Sequence, residues 1–187
     1  MIVKSLDHLN LISKIISQKL ENGDCIFLIG EIGVGKTTFT RYLINNLQSQ
    51  KGLKETEVLS PTFNLLYEYE IKDLKIMHYD LYRIKKATEL KHLGIFSENE
   101  KTIKIIEWPD LIKTPLNNKL EIHFEYVENE KERKNDVFFR TIEKLLVIER
   151  QAIYGTLSQK HKRIEAEIDK ELNNYSESRN ANKTSKD

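Results

Sequence analysis

The sequence has few of the features on which disulfide-rich, nucleic-acid-binding or membrane-spanning proteins depend. Cys25 is the only cysteine among 187 residues, which excludes an intramolecular disulfide and a thiolate metal cluster. Thirty basic and 29 acidic residues nearly cancel, so the chain lacks the positive field of a stand-alone nucleic-acid binder. No apolar run approaches the roughly 20 residues needed to cross a bilayer, and the N-terminus has no continuous apolar signal region. We therefore expect a cytoplasmic protein that does not bind membranes.

Apolar patterns of helical and strand spacing alternate along the first 145 residues. An amphipathic helix is predicted from Leu6 to Leu20, with Ser5 or Asp7 as its N-cap and Gly23 as its stop. The other predicted elements are strands at "DCIFLIG", "FNLLYEYEI", "LKIMHYDLY", "TIKIIEW", "KLEIHFEYV" and "DVFFRTI", and helices at "KTTFTRYLINNLQ" and "ATELKHLGI". The second and third strands are expected to form a hairpin, as are the last two. The order predicts a three-layer α/β domain with a mixed, mainly parallel sheet.

The C-terminal segment has a different character. From about Ile142 apolar residues return at helical spacing, and they thin out in the charged stretch that begins at Lys160. The last dozen residues contain no aliphatic residue larger than Ala181, so they are expected to be disordered. We predict a domain over residues 1–145 and a C-terminal helical extension with a disordered tail over residues 146–187. On this interpretation, removing residues 158–187 leaves the domain folded.

One motif in the chain is specific for phosphate. In "GEIGVGKTT", Gly30 is followed by four residues and then by Gly35, Lys36 and Thr37, between a predicted strand and a predicted helix. Glycines allow the loop amides to converge on a phosphate, the lysine reaches the β- and γ-phosphates, and the threonine hydroxyl can ligate Mg²⁺. This predicts a P-loop NTPase-like domain. The candidate nucleotide-binding residues are Gly30, Glu31, Ile32, Gly33, Val34, Gly35, Lys36, Thr37 and Thr38.

Two carboxylates follow apolar strands at positions where a phosphate-bound metal requires oxygen ligands. Asp80 ends "IMHYD" and is the candidate Walker B residue, although an aspartate at a strand end more often caps a helix or a turn than it binds a metal. Glu107 ends "IKIIE" and could hold a metal-bound or attacking water, or only cap the strand end. The residues alone leave these alternatives open.

Four sequence blocks occur in order along the chain: "GEIGVGKTTFTR", "SPTFNLLYEYE", "MHYDLYRI" with the following "ELKHLGI", and "IIEWPD". Together they resemble the TsaE family (formerly YjeE), the small P-loop ATPases of bacterial tRNA threonylcarbamoyladenosine biosynthesis. They span about residues 23–112, and the flanking elements extend the resemblance to about residue 143.

The resemblance implies roles for individual residues. Lys36 and Thr37 hold ATP and Mg²⁺, Asp80 has the Walker B role, and Glu107 is needed for hydrolysis. Catalytic roles are thus expected for Glu107, Asp80 and Lys36, and metal binding for Thr37, Asp80 and Glu107. Thr62 lies in a switch-like loop and is a further candidate metal ligand, unless its hydroxyl only caps its own turn. Trp108 is expected beside the site as an apolar lid or core residue.

The resemblance also implies a function and partners. An ATPase of this family acts on the complex of TsaB and TsaD for modification of adenosine 37 in tRNAs that read ANN codons, meets tRNA mainly through that complex, and is expected to be weak without partners. Two alternatives remain: a small-molecule P-loop kinase and a nucleotide-dependent binding module with incidental hydrolysis. The kinase is disfavoured because Arg41 and Arg83 are the only arginines before Arg133, and a signalling GTPase because Glu121 replaces the aspartate of the guanine-reading motif.

Overall fold

The glycine-rich loop follows the central strand of a seven-stranded sheet. The computed structural model describes residues 2–3, 5–97, 102–114, 116, 118–126, 144–149, 163–164, 166–175 and 177. The strands are β1 (Ile2–Val3), β2 (Cys25–Gly30), β3 (Leu66–Ile71), β4 (Leu74–Asp80), β5 (Thr102–Glu107), β6 (Lys119–Tyr126) and β7 (Lys144–Glu149). Their order across the sheet is β1-β7-β6-β2-β5-β4-β3.

The centre of the sheet is parallel and its edges are antiparallel. β2 pairs in parallel with β5 and with β6, and β5 pairs in parallel with β4. β3, β7 and β1 add antiparallel strands at the two edges. The predicted α/β fold with a mixed sheet is confirmed, as is the hairpin of β3 and β4. Because parallel strands share a direction, the carboxyl ends of β2, β5 and β4 lie on the same side of the sheet. These three strands end at Gly30, Glu107 and Asp80.

Two helices cover one face of the sheet, and short 3₁₀ helices cover part of the other. α1 (Leu6–Lys19) packs on α2 (Lys36–Gln50) over the larger apolar core. Ser5 is the N-cap of α1, since its hydroxyl accepts a hydrogen bond from the backbone N–H of His8 at 3.2 Å. Opposite, the 3₁₀ helices Ala87–Leu93 and Pro109–Leu111 border a smaller core that contains Cys25, whose burial raises the pKa of its thiol to about 12. No helix of the described residues is long and apolar enough to cross a membrane.

β7 contradicts part of the prediction for the C-terminal segment. Residues 144–149 form a strand that pairs with β6 and β1, so the helix predicted from Ile142 is wrong here and the predicted boundary after residue 145 falls inside a strand. A short apolar run cannot distinguish helix from strand by spacing alone, and the open edge of β6 decided the outcome. The strand predicted at 136–142 and most of the predicted disordered tail lie outside the described residues.

The C-terminal helix α3, described at 163–164, 166–175 and 177, packs on α1. Ile164 and Ile168 are buried within the same core as α1 and α2. At the surface, Lys19 forms an ion pair with Glu167 at 2.8 Å, and the rings of His8 and Tyr175 meet edge to face with centroids 4.9 Å apart. The extension is therefore part of the domain core, and the expectation that residues 158–187 are dispensable does not agree with this packing.

Replacing Ile168 with alanine is expected to lower the free energy of unfolding by about 2–5 kcal/mol. The change removes most of a fully buried side chain and leaves a cavity that the surrounding core fills only in part. Urea unfolding followed by circular dichroism measures the change. Lys170→Ala, on the exposed side of the same helix, is the control and should change the stability by less than about 0.5 kcal/mol. Equal stability of the two variants would show that α3 does not pack on the domain in solution.

Candidate functional site

The loop between β2 and α2 has a backbone that its glycines make possible. Gly30, Gly33 and Gly35 all have positive φ angles. A Cβ atom added to Gly30 would lie 2.3 Å from the carbonyl oxygen of Phe124 on β6, so only glycine fits there. The hydroxyl of Tyr126, also on β6, donates a hydrogen bond to the backbone oxygen of Ile32 at 3.1 Å. The loop is thus held by the neighbouring strand, with the N-terminus of α2 directly after it.

The Lys36 ammonium group lies inside the curve of this loop. Its Nζ donates to the backbone oxygens of Gly30 at 2.7 Å and Glu31 at 2.8 Å, and it lies 4.0 Å from the centre of the Trp108 ring. The residue is only 4% exposed. Burial lowers the pKa of Lys36 from its ordinary value, and nearby carboxylates, Glu107 foremost, oppose that shift. The result is a desolvated positive charge held at the N-terminus of α2.

The two candidate carboxylates lie side by side. Asp80 and Glu107 are register partners at the ends of the parallel strands β4 and β5, and each is 3% exposed. The hydroxyl of Thr37, the second residue of α2, donates to Oε1 of Glu107 at 2.8 Å. The sheet therefore brings a hydroxyl and two carboxylates to the entrance of the glycine-rich loop.

Asp80 is also bonded to the loop before β3. Its Oδ2 accepts from the Thr62 hydroxyl at 2.5 Å and from Ser60 at 3.4 Å, while its Oδ1 accepts from the backbone N–H of Tyr82 at 3.0 Å. The bond to Tyr82, two residues on, is an Asx turn, which is the capping alternative that the sequence left open. Asp80 caps this turn with one oxygen, and the other oxygen faces the hydroxyls of the switch-like loop.

Trp108 lines two cavities at the carboxyl ends of the parallel strands. Its backbone has φ of +59°, which is unusual for a bulky residue, and its ring lies against Tyr82 with centroids 4.9 Å apart. One cavity, of about 450 Å³, contains most of the phosphate-binding candidates, and the other, of about 440 Å³, shares lining residues with it. The first is lined by Ile32, Gly33, Gly35, Lys36, Thr37, Thr38, Ser60, Thr62, Asp80, Tyr82, Arg83, Glu107 and Trp108.

Most residues that the sequence singled out line one of these cavities. The four polar candidates Lys36, Thr37, Asp80 and Glu107 line the first, together with Thr62. Gly30 and Glu31 line the second. Val34 does not line either cavity, because its side chain is fully buried in the core. Its contribution to a phosphate site is confined to its backbone.

Sequence reasoning missed three polar neighbours of the site. Ser60 and Arg83 line the first cavity, and His78 contacts Glu107 through its Nε2, 3.0 Å from Oε1. A signal for His78 was present, since it precedes Asp80 by two residues and successive side chains of a strand alternate between faces. Arg83 lies with its guanidinium 4.1 Å from the centre of the Phe63 ring, a contact that no local pattern predicts.

The oxygen atoms of the site suit a magnesium ion that a ligand helps to hold. Thr37, Asp80 and Glu107 offer a hydroxyl and two carboxylates, which are ligands that Mg²⁺ accepts. Among the described residues no group of three or more histidine, cysteine, aspartate and glutamate side chains could hold a metal. A divalent ion here would therefore need phosphate oxygens or water to complete its coordination.

The sequence of this chain matches a known family model and several known proteins. The family model described as "Threonylcarbamoyl adenosine biosynthesis protein TsaE" matches residues 3–137. The chain is 36% identical over 121 residues to the tRNA threonylcarbamoyladenosine biosynthesis protein TsaE of Rickettsia conorii, a match that covers 64% of this chain and 67% of that protein. It is 37% identical over 91 residues to the protein of the same name from Haemophilus influenzae, covering 48% of this chain and 54% of that protein.

A solved structure supports the fold independently. The crystal structure of Bacillus subtilis YdiB superposes with a TM-score of 0.58 and covers 88% of this chain and 94% of that chain. The two sequences are 22% identical, so this likeness concerns the fold alone. The family model, by contrast, spans most of the chain and includes the glycine-rich loop, β4 and β5. The chain therefore belongs to the TsaE family of tRNA threonylcarbamoyladenosine biosynthesis proteins.

Proposed function

We propose that this protein binds ATP with Mg²⁺ and hydrolyses the nucleotide in the cavity at the carboxyl ends of β2, β4 and β5. The observation that carries the proposal is the 2.8 Å hydrogen bond from Thr37 to Glu107, with Asp80 on the adjoining strand. A hydroxyl and two carboxylates in front of a glycine-rich loop are the groups that hold and hydrolyse a metal-bound triphosphate.

The loop supplies the phosphate-binding groups. Residues 30–38 present backbone amides and the N-terminal end of α2 to the phosphates, and both favour negative charge. Lys36 is desolvated by burial, so its positive charge interacts strongly with the β- and γ-phosphates. Thr37, Asp80 and Glu107 would hold Mg²⁺, with Thr62 as a further candidate, and the ion would neutralise charge between the β- and γ-phosphates.

Glu107 supplies the group for hydrolysis. Its carboxylate can orient a water molecule toward the γ-phosphorus, and the water oxygen then forms a bond to phosphorus while the bond to the β–γ bridging oxygen breaks. The products are ADP and inorganic phosphate, and the proton of the attacking water leaves through the carboxylate or solvent. Lys36 stabilises the charge that shifts to the bridging oxygen.

The site serves tRNA modification through other proteins. We propose that TsaD and TsaB homologues are the partners, and that ATP turnover acts on their complex in the cytoplasm for modification of adenosine 37 in tRNAs that read ANN codons. The formal charge of +1 agrees with a protein that meets tRNA mainly through that complex. Turnover is expected to be weak for the isolated protein.

Two other functions use the same loop. A small-molecule P-loop kinase would need an arginine-rich lid over the phosphates, yet Arg83 is the only arginine among the described residues that line the cavity. A nucleotide-dependent binding module would need the loop but not Glu107. The close contact of Glu107 with Thr37 favours an ATPase over both.

Phosphate release from Mg-ATP, measured for the protein alone and with TsaB and TsaD, tests the proposal. We expect release that rises when both partners are present, and no phosphorylated product in a screen of small metabolites. A phosphorylated metabolite would favour the kinase, and nucleotide binding without release under any condition would favour the binding module. Loss of the threonylcarbamoyl group from tRNA adenosine 37 in cells that lack the protein would tie the activity to the pathway.

A further inference from the structure

His78 is buried behind Glu107 and lines neither cavity, and no step of the proposed hydrolysis uses it. The side chain is fully buried on β4, and its Nε2 is 3.0 Å from Oε1 of Glu107. Because Asp80 follows two residues later on the same strand, the two side chains project from one face of β4. Buried polar groups are normally hydrogen-bonded, and Glu107 is the partner of the buried His78 imidazole.

The surroundings of the ring determine which nitrogen carries the proton. Nδ1 of His78 is buried and has no hydrogen-bond partner among the described residues. A buried N–H without an acceptor is costlier and rarer than a buried acceptor without a donor. A lone pair at Nε2 would also face a carboxylate oxygen. Nε2 is therefore the nitrogen that carries a hydrogen facing Glu107, and Nε2–H donates to its Oε1.

This bond leaves the two oxygens of Glu107 with different surroundings. Oε1 accepts from both Thr37, at 2.8 Å, and His78, at 3.0 Å, whereas no hydrogen bond from the described residues reaches Oε2. Thr37 is also a candidate metal ligand, so its position depends on what is bound. His78 is a donor from outside the phosphate and metal site.

We propose that His78 is a positioning residue for Glu107: its Nε2–H holds Oε1, so that Oε2 remains available to the water that attacks the γ-phosphate. The proposal rests on the proposed ATPase function and adds a residue that acts through Glu107 without touching the nucleotide. A carboxylate held by a fixed donor loses less orientational freedom when the water binds. The contribution of His78 should therefore appear in turnover and not in nucleotide affinity.

The position of the ring hydrogen is testable in the unaltered protein. Nitrogen NMR of the ¹⁵N-labelled full chain should show hydrogen on Nε2 of His78, with the resonances assigned by their absence from His78→Gln. This measurement needs no activity and no nucleotide. A ring with hydrogen on Nδ1 alone would overturn the proposal, because Nε2 could then not donate to Glu107.

Variants of the full chain test the hydrogen bond itself. His78→Gln places an amide N–H near the position of Nε2, whereas His78→Leu removes the donor at similar size. With TsaB and TsaD present, His78→Leu should lower the maximal rate of phosphate release by about 10- to 100-fold, and His78→Gln should recover most of that loss. The Kd of each variant for Mg-ATP, followed by the fluorescence of Trp108, should stay within about threefold of the unaltered protein. His123→Leu makes the same change on β6, outside both cavities, and is the control.

The outcomes separate this proposal from the function on which it rests. Equal losses of turnover in His78→Leu and His78→Gln at normal melting temperature, or weakened binding in both, would overturn the positioning role. If His78→Leu does not fold, the test relies on His78→Gln and on the NMR measurement. Near-normal phosphate release by His78→Gln, together with hydrogen on Nε2, supports the positioning role. Loss of release in His78→Gln, or no hydrogen on Nε2, contradicts it. An unaltered protein that releases no phosphate with both partners present would instead remove the ATPase function.

Discussion

Lys36→Ala is expected to weaken Mg-ATP binding by roughly 100-fold or more. The side chain is a buried cation whose Nζ is already held by the backbone oxygens of Gly30 and Glu31, so it meets the phosphates without a large cost in ordering. Loss of a charged hydrogen-bonding group of this kind costs about 3 kcal/mol, and about 1.4 kcal/mol corresponds to a tenfold change in Kd. Calorimetric titration with Mg-ATP measures the effect.

Lys51, the C-cap residue of α2, provides the control. Lys51 caps the opposite end of α2 and is exposed, so Lys51→Ala should bind Mg-ATP as the unaltered protein does. Both variants must retain a cooperative melting transition, since Lys36 is buried and its removal leaves two backbone oxygens without a donor. If folded Lys36→Ala binds Mg-ATP normally, the glycine-rich loop is a structural turn and the proposed function is wrong.

Glu107→Gln is expected to lower phosphate release at least 100-fold while Mg-ATP still binds. The amide oxygen can accept from Thr37 and His78 as the carboxylate does, so the fold around it should persist. What is lost is the negative charge that, in the proposed mechanism, orients the water and accepts its proton, and the contribution of such a group is typically 10²- to 10⁴-fold. Glutamine is a better replacement than alanine, because alanine would leave the buried Thr37 and His78 groups without their acceptor.

The measurement is steady-state phosphate release with TsaB and TsaD present, beside a binding titration. Glu121→Gln is the control, because Glu121 pairs with Lys119 on β6 and lines neither cavity. Near-normal release by Glu107→Gln would remove this residue from the catalytic group and restore the strand-end cap as its role. Loss of both binding and release would assign it to metal binding alone.

Much of the fold could be predicted because its signals are local. The N-cap Ser5, the apolar stripe of α1 and the αL residue Gly94 at the end of a 3₁₀ helix act within one or two turns of chain. Strands β2 and β5 could be recognised because parallel central strands are buried on both faces and are mostly apolar. The motif from Gly30 to Thr37 requires particular backbone angles at consecutive residues, so it can be recognised from the spacing of its residues in the sequence.

The C-terminal segment could not be predicted in the same way. Residues 144–149 have apolar spacing that fits a helix or a strand, and the edge of β6 selects the strand. Ile164 and Ile168 lie in a charged stretch that reads as a solvated helix, but α1 presents an apolar surface that buries them. The strand at 144–149 depends on pairing with β6, and the burial of Ile164 and Ile168 depends on α1, which lies more than a hundred residues earlier in the chain.

The sequence by itself determined that this chain has a glycine-rich loop with phosphate-binding spacing between a strand and a helix, that two carboxylates lie at strand ends, and that the chain belongs to the family that the loop and its accompanying blocks identify. Only the tertiary structure decided which of these groups meet. Thr37 bonds to Glu107, 70 residues away, and not to Asp80, whose oxygens bond to Thr62 and Tyr82. His78 became part of the site for the same reason. Spacing along a chain specifies local backbone geometry, whereas a contact between side chains on different strands depends on sheet order and register.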